Sequence, residues 1–259
     1  MSLNSELKKE LKEEITKKLK KKIKEHDFSK KSGNPFVDII FGKYSNIKSF
    51  IHGTATMLGS EYELMARKIA KSNSHFIKAE KIVLNGKISD KEKAIIKDLV
   101  KELEEKKIGS DYNSEIKKIF EADDKNMKET RITIDLHLED KEGKESFIEM
   151  KGPDPNKKEV RAAKEDLLNV VAIKKRSLKL TEFNKKVEII FGVYYNNHEG
   201  NYENWKVSPI FEEDKGMKVQ EEFWDFLGGK GTFEDILTMI SEIKEEVYPL
   251  IKEKIKILD

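Results

Sequence analysis

Residues 131–158, RITIDLHLEDKEGKESFIEMKGPDPNKK, constrain the fold more tightly than any other stretch of this chain. Ile132, Ile134, Leu136 and Leu138 alternate with Thr133, Asp135, His137 and Glu139, the period-2 pattern of a half-buried strand. After the polar run 140–144, Ile148 and Met150 alternate with Glu149 and Lys151. Two such runs around a short turn predict an antiparallel hairpin. An odd-numbered loop centred on Glu142 sets Asp135 opposite Glu149 on one face, with Cβ atoms about 5 Å apart, and Lys151 one pleat further along. An even-numbered loop sends Asp135 to the other face unless a bulge restores it.

Two carboxylates that close raise one another's pKa, and desolvation adds to the effect. A divalent cation relieves both problems. Mg²⁺ accepts two carboxylates, a backbone carbonyl, waters and phosphate oxygens. Lys151 beside it would hold or deprotonate an attacking water and offset charge building on a phosphate. The hairpin therefore reads as a metal-dependent phosphodiester hydrolysis site. In a chain with 39% charged residues, Asp followed by Glu-x-Lys also recurs by chance, so a solvated surface hairpin is the competing reading. The shared face, the Gly-Pro stop, the basic helix and the buried strand that follow favour the site.

Asp135 followed by Glu149-Met150-Lys151 resembles the PD-(D/E)xK nuclease signature of many restriction endonucleases, with Ile134 where the name-giving proline would stand. More specifically, the chain resembles the TdeIII-type type II restriction endonucleases. The pieces that carry this are GNPF at 33–36, GSEYE at 59–63, EMKGPDPN at 149–156, and FWDFL at 223–227 followed by Gly228-Gly229. The resemblance implies an α/β restriction-endonuclease-like core, a mixed central sheet flanked by helices. It implies Mg²⁺-dependent cleavage of double-stranded DNA at a short palindrome of the GGNCC kind, leaving 5′-phosphates. Asp135, Glu149 and the Met150 carbonyl would hold Mg²⁺, with Mn²⁺ as a substitute, and Lys151 would act beside them. The Gly-Ser-x-aromatic-Glu pattern points to Glu63 ahead of Glu61 as a further acid. A homodimer matched to the palindrome is implied, as is a cognate DNA methyltransferase in the same system. Two other readings share the motif: a repair or junction-resolving nuclease, and a DNA-binding module whose motif is dead.

At 259 residues the chain is long enough for one sizeable core. The expected organisation is a single domain, with 1–30 a basic N-terminal helix and 31–125 a helical subdomain packed on a catalytic core at 126–259. The absence of Cys excludes disulfides and thiolate chemistry. No apolar run would span a bilayer and the first residues are not signal-like, so a cytoplasmic protein without a membrane partner is expected. Net charge is only +2, yet residues 151–186 carry 11 Lys/Arg against 5 Asp/Glu, and a local patch matters more than the sum. A helix from about Lys157 to Arg176 leaves the catalytic strand. Its Val160, Ala163, Leu167 and Val171 share one side, and Arg161, Lys164 and Glu165 lie away from it. Asn156, Lys157, Lys158, Arg161 and Lys164 are the candidate DNA contacts.

Elsewhere the apolar spacing predicts helices over 3–25, 45–58 and 113–121, and a short apolar one after Asn34-Pro35. Ser60 and Glu63 form a capping box opening another helix, Ser89-Asp90 opens one that ends near Lys106, and Thr232 opens the last, with Leu237 in its stripe. The 187–195 run predicts an interior strand parallel to the Glu149 strand. FWDFL is expected as a core anchor closed by the glycine pair. Tyr202 and Trp205 are expected to pack, His52 and His75 to be ordinary core or surface residues, and Asp123-Asp124 to be a solvated turn.

Overall fold

A computed structural model describes residues 3–28, 30, 33–123, 125–197 and 199–256; Asp124 of the expected turn lies outside them. In chain order the helices are α1 (Ser5–Glu25), α2 (Pro35–Phe41), α3 (Ile47–Ser72), α4 (Asp90–Glu104), α5 (Tyr112–Phe120), α6 (Lys157–Lys174), α7 (Leu180–Lys186), α8 (Glu213–Gly216), α9 (Glu221–Gly228) and α10 (Thr232–Lys256). The strands are β1 (Phe76–Ser89), β2 (Met127–Asp140), β3 (Glu145–Lys151), β4 (Val187–Val193) and β5 (Met217–Val219). The chain divides into two compact units, Met1–Met65 with Lys230–Asp259, and Ala66–Gly229.

In the first unit α1 and α10 lie side by side in the same direction. Leu3 N donates to Asp235 Oδ2 at 2.8 Å, and Lys20 Nζ reaches Glu246 Oε2 at 2.9 Å. A surface ion pair such as Lys20–Glu246 is worth at most about 1 kcal/mol. The pairing rests on the packed stripes, Leu11, Ile15 and Ile23 from α1 and Ile236, Met239, Ile243 and Val247 from α10. Leu237, expected in that stripe, points to solvent, and Met239 takes its place because it falls one helical turn from both Ile236 and Ile243. Asn34 caps α2 by accepting from the Phe36 and Val37 N–H groups, while Phe36, Ile39 and Ile40 stay exposed. The expected helix start at Ser60 is absent. α3 runs through it unbroken. Gly59 costs a helix interior about 1 kcal/mol, less than the burial of Met65, Ala66, Ile69 and Ala70 further along the same helix gains.

In the second unit the described strands form one five-stranded mixed sheet in the order β1-β2-β3-β4-β5. The first three are antiparallel, and β3, β4 and β5 run parallel. This is the helix-flanked mixed sheet expected from the sequence, with β4 interior as anticipated. Residues 31–125 are not wholly helical, however, since β1 lies within them and pairs along the whole of β2. Its sequence, FIKAEKIVLNGKIS, buries only its last two residues fully. An edge strand with charges on both faces carries little period-2 signal.

One side of the sheet carries the main core, where Ile132, Ile134, Phe147, Ile189 and Phe191 meet Ile96, Val100 and Leu103 of α4, Ile116 and Ile119 of α5, and Val160, Ala163, Leu167 and Val171 of α6. α9 anchors the second unit as expected. Phe223, Trp224 and Leu227 are buried, and Trp224 Nε1 donates to Tyr194 O at 2.7 Å. Phe223 comes so close that a Cβ on Gly192 would lie 2.6 Å from its ring. No helix among the described residues is long and apolar enough to cross a membrane.

Candidate active site

The hairpin forms with the register that a loop centred on Glu142 requires. The ladder runs from Glu139↔Glu145 to Leu136↔Ile148. Asp140 makes the turn: its Oδ1 accepts from the Glu142 and Lys144 N–H groups, and Gly143 takes φ +77°. Asp135 follows next to Glu149, and its Oδ2 accepts from Met150 N at 3.1 Å.

The alternation read from sequence is nevertheless interrupted. Glu80 of β1 pairs with His137 and Ile82 with Ile134, so β2 spends one extra residue there. This is a β-bulge. Ile132 and Ile134 join the core under α6. Leu136 pairs with Ile148, whose side chain faces Gly192 and, across it, Phe223. The bulge lets Asp135 sit with Glu149 while the strand keeps apolar residues on both faces.

Asp135, Glu149 and Lys151 converge. Lys151 Nζ lies 3.5 Å from Asp135 Oδ2 and 3.3 Å from Glu149 Oε2, so the two carboxylates share one ammonium. Glu149 is only 6% exposed. Burial, then the Asp135 charge, push its pKa up to about 8, against the opposing pull of Lys151. Burial disfavours the Lys151 ammonium, but the two carboxylates outweigh that and raise its pKa. Without a metal ion, Lys151 is thus held as a cation between the two carboxylates.

Two further side chains belong to this neighbourhood. Lys81 of β1 places Nζ 3.4 Å from Asp135 Oδ1. Asp166 of α6 is half-buried, and its charge raises the pKa of Glu149; its own pKa is raised by burial, then by Glu165 and Asp135, with Lys151 opposing. Neither was found from sequence. Lys81 belongs to the unrecognised strand, and Asp166 was masked by its position in an ordinary-looking amphipathic helix.

The candidate DNA contacts lie at the N-cap and in the first turns of α6. Lys157 and Lys158 are exposed at the start of α6. Asn156 is the N-cap of α6, its Oδ1 accepting from Glu159 N at 3.0 Å. Arg161 pairs with Glu104 at 3.3 Å. Lys164 is a correction: it is 4% exposed and pairs with buried Glu115 at 2.5 Å, so it does not face solvent as its spacing suggested. α5 brings Glu115 to that side of α6, and the pair turns Lys164 inward. Glu63 lies in the first unit, in the middle of α3. Trp205, expected to pack, is 63% exposed, whereas Tyr202 packs as expected.

At the far end of the hairpin Glu145 joins His137 at 2.9 Å and Lys174 at 2.6 Å. Its hydrogen bond from His137, followed by Lys174, holds its pKa down at about 2 against partial burial. His75, Asp140 and Glu142 bring ligand-type atoms within 4.8 Å of one another, but Asp140 is already committed to capping the turn.

A family model described as type II restriction endonuclease, HinfI, matches residues 3–244. The type II restriction enzyme HgiEI of Herpetosiphon aurantiacus is 23% identical over 216 residues, covering 81% of this chain and 76% of that protein. HgiBI of the same organism is 22% identical over the same shares of both chains. HgiCII, also from Herpetosiphon aurantiacus, is 25% identical over 115 residues, 43% of this chain and 40% of that protein. No solved structure matches the chain significantly.

Proposed function

We propose, since the chain belongs to the HinfI family of type II restriction endonucleases, that it cleaves double-stranded DNA at a short palindromic site by Mg²⁺-dependent hydrolysis, leaving 5′-phosphates. Asp135, Glu149 and Lys151 are the catalytic set. The observation that carries this reading is the single Lys151 ammonium shared by Asp135 and a buried Glu149 whose pKa is pushed up to about 8.

The donor set fits a hard divalent cation. Two carboxylates and the Met150 peptide lie together, and a buried acid with so high a pKa is one that a cation would stabilise in its charged form. Asp135, Glu149 and the Met150 carbonyl would hold Mg²⁺ or Mn²⁺, which supplies the charge that activates water and polarises the scissile phosphate. Lys151, kept cationic, offsets the negative charge that grows on the phosphate. The Met150 N–H and the Lys81 ammonium orient Asp135. Lys157 and Lys158 would hold DNA phosphates. Glu63 is carried as a further catalytic acid by the TdeIII-type resemblance alone, and so is an interrupted palindrome of the GGNCC kind. A palindromic substrate calls for a homodimer, and a cellular enzyme of this kind calls for a methyltransferase that protects the host's own sites.

The test is digestion of long unmethylated DNA with Mg²⁺, followed by sequencing of the ends. Discrete fragments with one common end sequence are expected, and Asp135→Ala should retain DNA affinity while losing cleavage. A purified wild-type protein that cuts no duplex with Mg²⁺ or Mn²⁺ would overturn the assignment.

A further inference from the structure

Parallel pairing of β3 and β4 sets Lys151 beside Val193, so the segments that follow both strands leave the sheet at the same end. Tyr194 N donates to Lys151 O at 3.2 Å as they part. The loop after β4 is then tied back to the loop after β3. Tyr202 Oη and Asn204 Nδ2 both donate to Pro153 O, at 2.8 and 3.0 Å, from side chains 6% and 4% exposed. Asn204 Oδ1 accepts from Lys206 N at 3.0 Å, and Val207 beyond it is fully buried. The backbone on both sides of Trp205 is therefore pinned.

The ring itself is left in water, 63% exposed. Buried, hydrogen-bonded residues on both sides thus fix a large aromatic ring in solvent at the end of the sheet where Lys151 lies. The charges around it specify the partner. Lys157 Nζ lies 5.0 Å and Lys206 Nζ 5.8 Å from the ring centroid. Lys206 is neutralised by Asp154 at 2.5 Å, which leaves Lys157 and exposed Lys158 to face an anion.

We propose that Trp205 is a DNA-contact residue, its indole packed on the sugar edge of the duplex that enters the end of the sheet bearing Lys151 while Lys157 and Lys158 hold the adjoining phosphates. An indole face can pack on the apolar side of deoxyribose whatever the sequence, and lysines beside it track the phosphate backbone. The inference rests on the nuclease reading above.

The chain has two tryptophans, and the other, Trp224, is 2% exposed. Intrinsic fluorescence therefore isolates Trp205. The probe is a mixture of short duplex fragments of unmethylated plasmid DNA, with Ca²⁺ in place of Mg²⁺, and anisotropy of a dye-labelled portion reports binding in parallel. Saturating DNA is expected to quench the red edge of the wild-type emission and shield it from acrylamide. Trp205→Phe should lose that response, and Trp205→Ala should bind about tenfold more weakly with unchanged Trp224 emission and circular dichroism. The proposal is overturned if labelled DNA binds Trp205→Ala as tightly as wild type with no change in wild-type emission. It also falls if the emission shifts with protein concentration alone, which would make the ring a subunit contact. If no duplex binds the wild-type protein at all, the nuclease reading is at fault and this inference falls with it.

Discussion

Glu149 couples the site to pH. Its pKa is raised from an ordinary 4.5 to about 8, so between those values the folded, metal-free protein holds a proton that the unfolded chain has released. Stability then falls as pH rises through that window, because the native state binds more protons than the unfolded one. Mg²⁺ competes with the same proton. The Mg²⁺ concentration for half-maximal cleavage should drop as pH rises from about 6 to about 8.5, and an equal requirement at both would show that Glu149 is not a ligand. Glu149→Gln removes the unfavourable charge. In metal-free buffer at pH near 8 it should unfold with about 1–3 kcal/mol more stability in denaturant titration, while cleavage falls by about a thousandfold or more. Loss of stability instead would mean that the carboxylate is held chiefly by Lys151 and not strained by Asp135.

The helix that follows β3 illustrates how far local patterns reach. Asn156, Glu159 and the apolar positions of α6 were readable, since a capping box and a 3.6-residue repeat are local properties. The direction of Lys164 was not, because it depends on Glu115, about fifty residues earlier, arriving on α5. Lys164→Ala leaves that acid buried without its partner and should cost about 3–5 kcal/mol in chemical denaturation, with no change in the salt dependence of DNA binding. A change in salt dependence without loss of stability would return Lys164 to the DNA surface. β4 makes the matching case. Its apolar run was plain, but Gly192 gains its meaning only from Phe223 pressing on it. Gly192→Ala should destabilise by about 1–3 kcal/mol, and Phe223→Leu in the same chain should recover part of that. Full stability of the single variant would show that α9 yields easily.

Across the whole molecule a net charge of +2 rules out binding DNA by bulk attraction. Affinity must come from a few placed cations. Replacing Lys157 or Lys158 by Ala should flatten the plot of log affinity against log salt by about one unit each, measured by anisotropy on labelled duplex; unchanged slopes would move the DNA path away from the start of α6. The sequence by itself determined that two alternating runs form a hairpin, that Glu149 and Lys151 share a face, and that a parallel strand lies beside them; of the two loop parities, the structure has the one centred on Glu142. Alternation, turn chemistry and apolar runs act within tens of residues and leave a trace in the order of the letters. Tertiary structure alone decided the bulge in β2, the arrival of Lys81 and Asp166, the burial of Lys164 and the exposure of Trp205. Each of those depends on which distant element comes to rest against a segment, and local periodicity does not encode a neighbour brought in from far along the chain.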